Sequence, residues 1–407
     1  QEGLIERLLE PEKQVTFRVA WQDDQGCVRV NKGYRVQFNS ALGPYKGGLR
    51  FHTTVNSGVI KFLGFEQIFK NALTGLPLGG AKGGSDFNPK GHSRSEIMRF
   101  CQAFMTTLYD HIGPTRDVPA GDIGVGAREI GFLFGQYRRL SGRFDGALTG
   151  KSPAWGGSLI RPEATGYGCV YFAEKMLAER NASFAGNTCL VSGAGNVALH
   201  TLEKLVELEA RPITCSDSTG TLIHEKGLDV PLLKTIKDKN RGTLATYLDT
   251  HRDATFIPVE DYDQGRLPVW ACPGDVAFPC ATQNELGRDD ARALIANGVL
   301  AIAEGANMPC TRDAVSEFLK AGVLYGPGKA ANAGGVAVSQ LEMQQNAAMA
   351  SWPGQKVDDR LRLIMRDIHQ CACDASKAFG EPGNLVLGAN IAGFKKVADA
   401  MMAYGVF

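Results

Sequence analysis

Residues Gly193-Ala194-Gly195-Asn196-Val197-Ala198 follow directly on an apolar run, 187–192, and open a helical one, 196–209. That order constrains the fold more than any other feature of the chain. The first glycine makes the turn, the second lets backbone approach a pyrophosphate, and the small Ala198 lets helix pack on strand. Free N–H groups and the positive end of the helix dipole then hold phosphates. Without those flanks the pattern G-x-G-x-x-A means only a tight β–α turn. Further strands are expected at 212–216, 276–278, 299–303 and 323–325, with helices near 288–296 and 312–321. Strands alternating with helices imply a parallel sheet covered on both faces.

Coenzyme choice should be written at the end of the second strand, Ser216-Asp217-Ser218-Thr219-Gly220. An acid there serves the ribose 2′-hydroxyl of NAD. Two hydroxyls flank it, however, and Lys237 and Arg241 follow, able to neutralise the 2′-phosphate of NADP. The residues themselves leave both open. Two more loops, 280–284 and 304–307, belong to the carboxyl edge where ligands bind. Their asparagines serve equally well to satisfy turn backbone.

The first half carries a different signal. Pro44-Tyr45-Lys46-Gly47-Gly48-Leu49-Arg50 precedes a helical run at 57–74, and Gly79-Gly80-Ala81-Lys82-Gly83-Gly84 follows it. Lysines among glycines have neighbours without side chains, so a small anion can reach both ammonium and backbone. Read locally, these are loops. Gln67 and Lys70 lie one turn apart on the helix between them. Three amines and an amide thus converge; crowding should depress the pKa of Lys82 and fit it as a base. Segment 117–126 is too rich in Gly and Pro for regular structure, and its Asp122 is the carboxylate placed to exchange a proton with an amine. The alternative role of Asp122 is to stabilise its turn. A hairpin spans 15–38 about Asp23-Asp24-Gln25-Gly26, and Ser93-x-x-Glu96 caps a helix.

With 407 residues the chain suits two domains, and Arg161-Pro162-Glu163 marks the boundary. The expected class is α/β: an α/β substrate domain and a Rossmann-like dinucleotide-binding domain, with a cleft between. Net charge is +1 and the basic residues are scattered, which argues against nucleic acid. No apolar run reaches the ~20 residues of a membrane span, and no signal peptide opens the chain. The 10 cysteines include no Cys-x-x-Cys pair and mostly sit in apolar runs, which fits buried thiols and a cytoplasmic location. Cys371 and Cys373 read as helix residues, and no metal is expected. Leu4, Ile5, Leu8 and Leu9 have the pattern of the later part of a longer helix, pointing to a missing native start.

Five stretches stand in order: 44–50, 77–84, Pro119-Ala120-Gly121-Asp122-Ile123-Gly124, Arg161-Pro162-Glu163-Ala164-Thr165-Gly166-Tyr167-Gly168, and Ala331-Asn332-Ala333-Gly334-Gly335-Val336-Ala337-Val338-Ser339. Together they resemble the hexameric glutamate dehydrogenases, along the whole chain. Within them the chain is similar to the NADP-linked microbial and protist branch, which commonly has Ser-Asp-Ser after the second nucleotide-binding strand. The resemblance implies NADP rather than NAD. It also implies that Lys82 activates water and that Asp122 transfers protons. By the same likeness Lys70 and Gln67 hold the substrate α-carboxylate, Lys46 and Ser339 the γ-carboxylate, and the Ala120 carbonyl the amino group. Gly47, Gly48 and Val336 line the side-chain pocket. Gly193, Gly195 and Val197 belong to the phosphate turn, Thr165 and Asn196 meet the nicotinamide amide, and Asn307 and Asn332 lie along that half of the cofactor. Substrates would be glutamate, 2-oxoglutarate and ammonium, in a homo-oligomer of six.

The resemblance also implies a discontinuous first domain, 1–160 plus about 381–407, with 161–380 as the second. The usual amino-terminal helix of the family is shortened here. Two rival readings stand beside this one. Sister dehydrogenases of leucine, phenylalanine or valine share Lys82 and Asp122 but use apolar residues where Lys46 and Ser339 stand. A non-catalytic nucleotide-binding regulator would not need the lysine and aspartate at all.

Overall fold

The computed structural model describes residues 3–239 and 242–406, and Arg241 lies outside them. The chain divides into two compact units. Unit 1 holds residues 1–161, 336–360 and 392–407; unit 2 holds 162–335 and 361–391.

Unit 1 opens with α1 (Leu4–Leu9), β1 (Lys13–Gln22), β2 (Val28–Asn39), β3 (Tyr45–Phe51) and α2 (Ser57–Leu73). It continues with β4 (Gly80–Ser85), α3 (Arg94–Leu108), β5 (Asp117–Gly121) and α4 (Ala127–Ser141). The sheet order is β1-β2-β4-β3-β5. β1, β2 and β4 pair antiparallel, whereas β3 runs parallel to both β4 and β5. The expected hairpin forms because Asp23 Oδ1 accepts from the N–H groups of Gln25 and Cys27, at 3.0 and 2.9 Å. The capping box of α3 is complete, Ser93 Oγ taking Glu96 N–H and Glu96 taking Ser93 N–H.

Three expected loops are strands, Tyr45–Phe51, Gly80–Ser85 and Asp117–Gly121. Gly80–Ser85 is wholly buried between β2 and β3, and Asp117–Gly121 pairs with β3. Glycine there serves close approach rather than loop geometry: a Cβ on Gly47 would fall 1.6 Å from the Ala81 carbonyl oxygen. Pro119 is tolerated because β5 lies at the sheet edge.

Unit 2 begins with α5 (Ala164–Ala178), β6 (Thr188–Val191), α6 (Asn196–Glu207), β7 (Arg211–Pro212), β8 (Thr214–Asp217) and β9 (Gly220–Ile223). Then come α7 (Val230–Lys234), β10 (Thr255–Pro258), β11 (Val276–Phe278), α8 (Arg288–Ala296) and β12 (Ala301–Ala303). It continues through α9 (Arg312–Lys320), β13 (Leu324–Gly326) and α10 (Gly328–Ala331). The parallel order β13-β12-β11-β6-β7 reverses direction between β6 and β11, the switch point at which open α/β sheets bind ligands. β8, β9 and β10 form a separate antiparallel sheet that the sequence pattern did not announce.

Three helices complete the chain: α11 (Gly334–Ala347), α12 (Gly354–Ala378) and α13 (Leu385–Tyr404). Residues 336–360, expected in the second domain, group with unit 1. The reason is polar. On α11, Glu342 accepts from Lys151 Nζ at 2.9 Å in a fully buried ion pair, and Gln345 donates to Ser158 Oγ at 2.8 Å. The return to unit 1 falls at Ala392, where Phe394, Val397 and Met401 join Phe38, Ile60 and Ile68 in one core cluster.

Candidate active site

The site in unit 1 is built on three neighbouring strands and one helix. β3 brings Lys46, β4 brings Lys82, α2 brings Gln67 and Lys70, and β5 leads into Asp122. Lys82 Nζ lies 3.0 Å from Asp122 Oδ2, and Arg50 Nε donates to the same oxygen at 2.9 Å. Burial pushes the Asp122 carboxyl up, but the charges of Lys82 and Arg50 outweigh it and hold the group below its usual range. Asp122 is therefore an ionised acceptor shared by two cations, not merely a turn residue. Register places Gly48 opposite Ala120, so only a glycine leaves room there: a Cβ would meet Asp122 Cβ at 2.9 Å.

Two lysines of the site have depressed pKa values. Burial, then the charges of Arg161 and Arg35, holds Lys46 well below the ordinary lysine value. Lys70 is pushed down to about 8, by burial first and then by Lys82. Lys82 carries the ion pair with Asp122. Lys46 is almost wholly buried, at 1% exposure. An ammonium held there among like charges favours a bound anion over an empty site.

Several residues of this site went unforeseen. Arg161 Nε donates to Ser339 Oγ at 2.9 Å, adding a second cation near Lys46. Asn71, fully buried, donates to the carbonyls of Lys46 and Gly79 at 3.0 and 2.6 Å and accepts from Gln67 Nε2 at 2.7 Å. It fixes both the Lys46 backbone and the Gln67 amide. The buried pair Arg35–Asp117 anchors β2 to β5, with Gln37 donating to the same carboxylate at 2.9 Å. Arg50 and Asn71 stood beside recognised motifs, but Arg161 and Ser339 lie 178 positions apart, and no local pattern links them.

In unit 2 the phosphate turn has the required shape. Gly193 adopts φ +86°, a conformation that favours glycine, and packs against the Cys280 carbonyl across the switch point. Gly195 begins α6 with no side chain on its amide groups and open space around its Cα, so phosphate oxygens fit there. Val197 lies in the first turn and Thr165 in the first turn of α5. Asn196 donates to the Pro162 carbonyl at 2.6 Å, and Asn332 donates to Asn307 at 3.0 Å and to the Ala306 carbonyl at 2.9 Å. Ser216 is buried and accepts from Gly193 N–H at 2.8 Å, so it braces the turn, whereas Ser218 is exposed. Asp217 accepts from Lys237 Nζ at 2.7 Å and from Thr219 N–H at 2.8 Å. Burial raises its carboxyl; Lys237 and Thr219 together bring it below the usual value. Glu285, which nothing in the sequence singled out, accepts from Ala281 N–H at 3.0 Å, and burial raises its carboxyl to about 7.

Val336, on α11, belongs to unit 1 with Ser339. All described cysteines are free thiols. Among the described residues no helix is long and apolar enough to cross a membrane.

Comparison with known proteins gives these sites a family. Residues 156–405 match the model for Glutamate/Leucine/Phenylalanine/Valine dehydrogenase, and 11–139 match that for the Glu/Leu/Phe/Val dehydrogenase dimerisation domain. The NADP-specific glutamate dehydrogenase of Helicobacter pylori is 58% identical over 404 residues, covering 99% of this chain and 90% of its own. The solved glutamate dehydrogenase of Plasmodium falciparum superposes with a TM-score of 0.96 at 50% identity, over 99% of this chain and 86% of that one. A hetero-hexameric glutamate dehydrogenase from Thermus thermophilus, at 26% identity, still superposes with a TM-score of 0.89, over 100% and 93% of the two chains. With its lysine–aspartate pair, its dinucleotide turn and near full-length similarity, the chain belongs to the glutamate/leucine/phenylalanine/valine dehydrogenase family, within its NADP-linked glutamate branch.

Proposed function

We propose that the chain catalyses the reversible oxidative deamination of L-glutamate to 2-oxoglutarate and ammonium, with NADP as coenzyme. The observation that carries this reading is the Lys82–Asp122 pair at 3.0 Å, set beside buried Lys46 and half-buried Lys70. Two carboxylates need two cationic ends. Lys70 with Gln67 takes the α-carboxylate; Lys46, Ser339 and the adjoining Arg161 take the γ-carboxylate, beside Gly47, Gly48 and Val336. Holding both ends fixes the reacting carbon, which is worth more than affinity alone. NADP, when bound at the Gly193–Val197 turn, supplies the hydride acceptor. Asp122 receives a proton from the substrate amine, whose other N–H faces the Ala120 carbonyl. With Asp122 protonated, Lys82 loses its anionic partner and gives its own proton to solvent. As the neutral amine it takes the proton of the water that attacks the oxidised carbon, and Asp122 returns a proton to the departing ammonia.

The pocket favours glutamate over an apolar amino acid because Lys46 and Arg161 would be left uncompensated by an uncharged side chain. Thr165, Asn196, Asn307 and Asn332 serve the nicotinamide half, and Ser216, Ser218, Lys237 and Arg241 the 2′-phosphate end. Asp217, neutralised by Lys237, does not repel the phosphate. The likeness to a hexameric relative and to a dimerisation domain supports a homo-hexamer, and the free thiols suit the cytoplasm.

Coenzyme kinetics with glutamate test the reading. Wild-type enzyme is expected to prefer NADP strongly, and replacing Lys237 and Arg241 together raises KM for NADP with little effect on NAD, which lacks the 2′-phosphate. Equal use of NAD by the wild type would mean that Asp217 serves a ribose hydroxyl.

A pH profile tests Lys70. Its charged form binds the α-carboxylate, and its pKa is about 8, so kcat/KM for glutamate declines as pH rises through that value. Lys70→Arg keeps the charge and should carry the declining limb to higher pH. An unmoved limb would assign it to another group.

A further inference from the structure

At the carboxyl end of α5, Glu179 faces one side of α12, which presents His369 and Cys373 one turn apart. The three donor atoms form a compact triangle. Cys373 Sγ lies 3.0 Å from Glu179 Oε1 and 3.7 Å from His369 Nε2, and His369 Nε2 lies 3.5 Å from Glu179 Oε1. Ligands bound tetrahedrally to zinc at ordinary bond lengths stand ~3.3–3.6 Å from one another. Two sides of this triangle are within about 0.1 Å of that range, and the Cys373–Glu179 side, a hydrogen bond at 3.0 Å, opens slightly on binding. We propose that Glu179, His369 and Cys373 form a binding site for a divalent cation of the zinc type, separate from the substrate and dinucleotide sites.

The chemistry of the donors selects the ion. Thiolate and imidazole favour zinc or cobalt over magnesium or calcium, which take oxygen ligands. One thiolate and one carboxylate neutralise a divalent cation, so a filled site carries no net charge. Binding releases the Cys373 thiol proton to solvent. His369 is 5% exposed, and its ring packs edge-on against Phe172, 5.2 Å between centroids, with both nitrogens 3.7 Å from Cys373 Sγ. Glu179 is open to solvent, leaving an entry path and room for water as fourth ligand. The helices already share contacts along this line, Arg362 bridging to Glu174 at 2.6 Å, so ligation asks little rearrangement. By contrast, the cluster of His224, His251 and Asp253 already holds the Lys226 ammonium on Asp253 at 2.8 Å.

Cys371 and Cys373 are helix residues as expected, both within α12, and the proposal adds a ligand role for Cys373. Its partners are a histidine four positions earlier and an acid 194 positions away, which no Cys–Cys spacing could reveal.

Cobalt(II) titration of the chelator-treated, assembled enzyme tests the site. One equivalent per chain should raise a thiolate-to-cobalt charge-transfer band that zinc then bleaches. The band is lost in Cys373→Ser, weakened in the solvent-facing Glu179→Gln, and kept in Cys371→Ser. Circular dichroism and coenzyme-dependent turnover confirm that each variant is folded. Absence of the band in the wild type, or its survival in Cys373→Ser, overturns the proposal. Neither result bears on glutamate turnover, which uses other residues.

Discussion

Replacing Lys82 by alanine, or Asp122 by asparagine, lowers kcat by at least about 10², the usual worth of a positioned acid or base. In the proposed mechanism the pair acts on the reacting amine and water while other residues hold the carboxylates, so the effect belongs in kcat. Both positions are more deeply set than loop residues would be: Lys82 lies in a buried strand, 6% exposed, and Asp122 follows directly on β5. Asp122→Asn keeps shape and loses charge, so it isolates the proton function. It leaves Lys82 and Arg50 without their shared anion, and some stability is lost with it. Circular dichroism and coenzyme binding should nonetheless report a folded protein. Near-normal kcat in either variant would remove Lys82 or Asp122 from the chemistry.

Lys46→Leu combined with Ser339→Val changes what the enzyme accepts. A charge-assisted hydrogen bond to a buried carboxylate is worth about 1.5–3 kcal/mol, so selectivity for glutamate over norleucine or methionine should fall at least about tenfold. Arg161 remains in the double variant and keeps glutamate turnover above zero. The fold should not suffer, because Lys46 is a buried ammonium among the like charges of Arg161 and Arg35. Steady-state kinetics with the three amino acids decide it. An unchanged ratio of kcat/KM values would give the γ-carboxylate to Arg161 or another group.

The two halves of the chain were unequally legible. In unit 2 the strand, turn and helix around Gly193 could be placed closely, since hydrophobic period and turn glycine are local signals. In unit 1 the same reasoning mistook Tyr45–Phe51, Gly80–Ser85 and Asp117–Gly121 for loops. Strand propensity is largely a matter of packing context, and here the context is backbone against backbone, where side chains do not fit. Lys46, Lys70, Lys82 and Asp122 stood out because their motifs are short and unusual. Their supports did not. Arg35 reaches Asp117 across 82 positions and Lys151 reaches Glu342 across 191, contacts that only the folded sheet brings about. Helix α11 escaped notice because its apolar residues follow no single face, as befits a helix enclosed on most sides.

The return of the chain to unit 1 sets the order in which the protein can be made. Phe394, Val397 and Met401 complete the core cluster of Phe38, Ile60 and Ile68, and Asn39 donates to Met401 Sδ across 362 positions. On a ribosome adding about 5–20 residues each second, they arrive roughly 20–70 s after the residues they join. For that interval the cluster that α2 forms with β2 and β4 lacks its α13 members while all of unit 2 emerges and folds. A nascent chain stalled before Ala392 would hold a finished nucleotide-binding unit beside an unfinished, adhesive one. The domain begun first is the last to close.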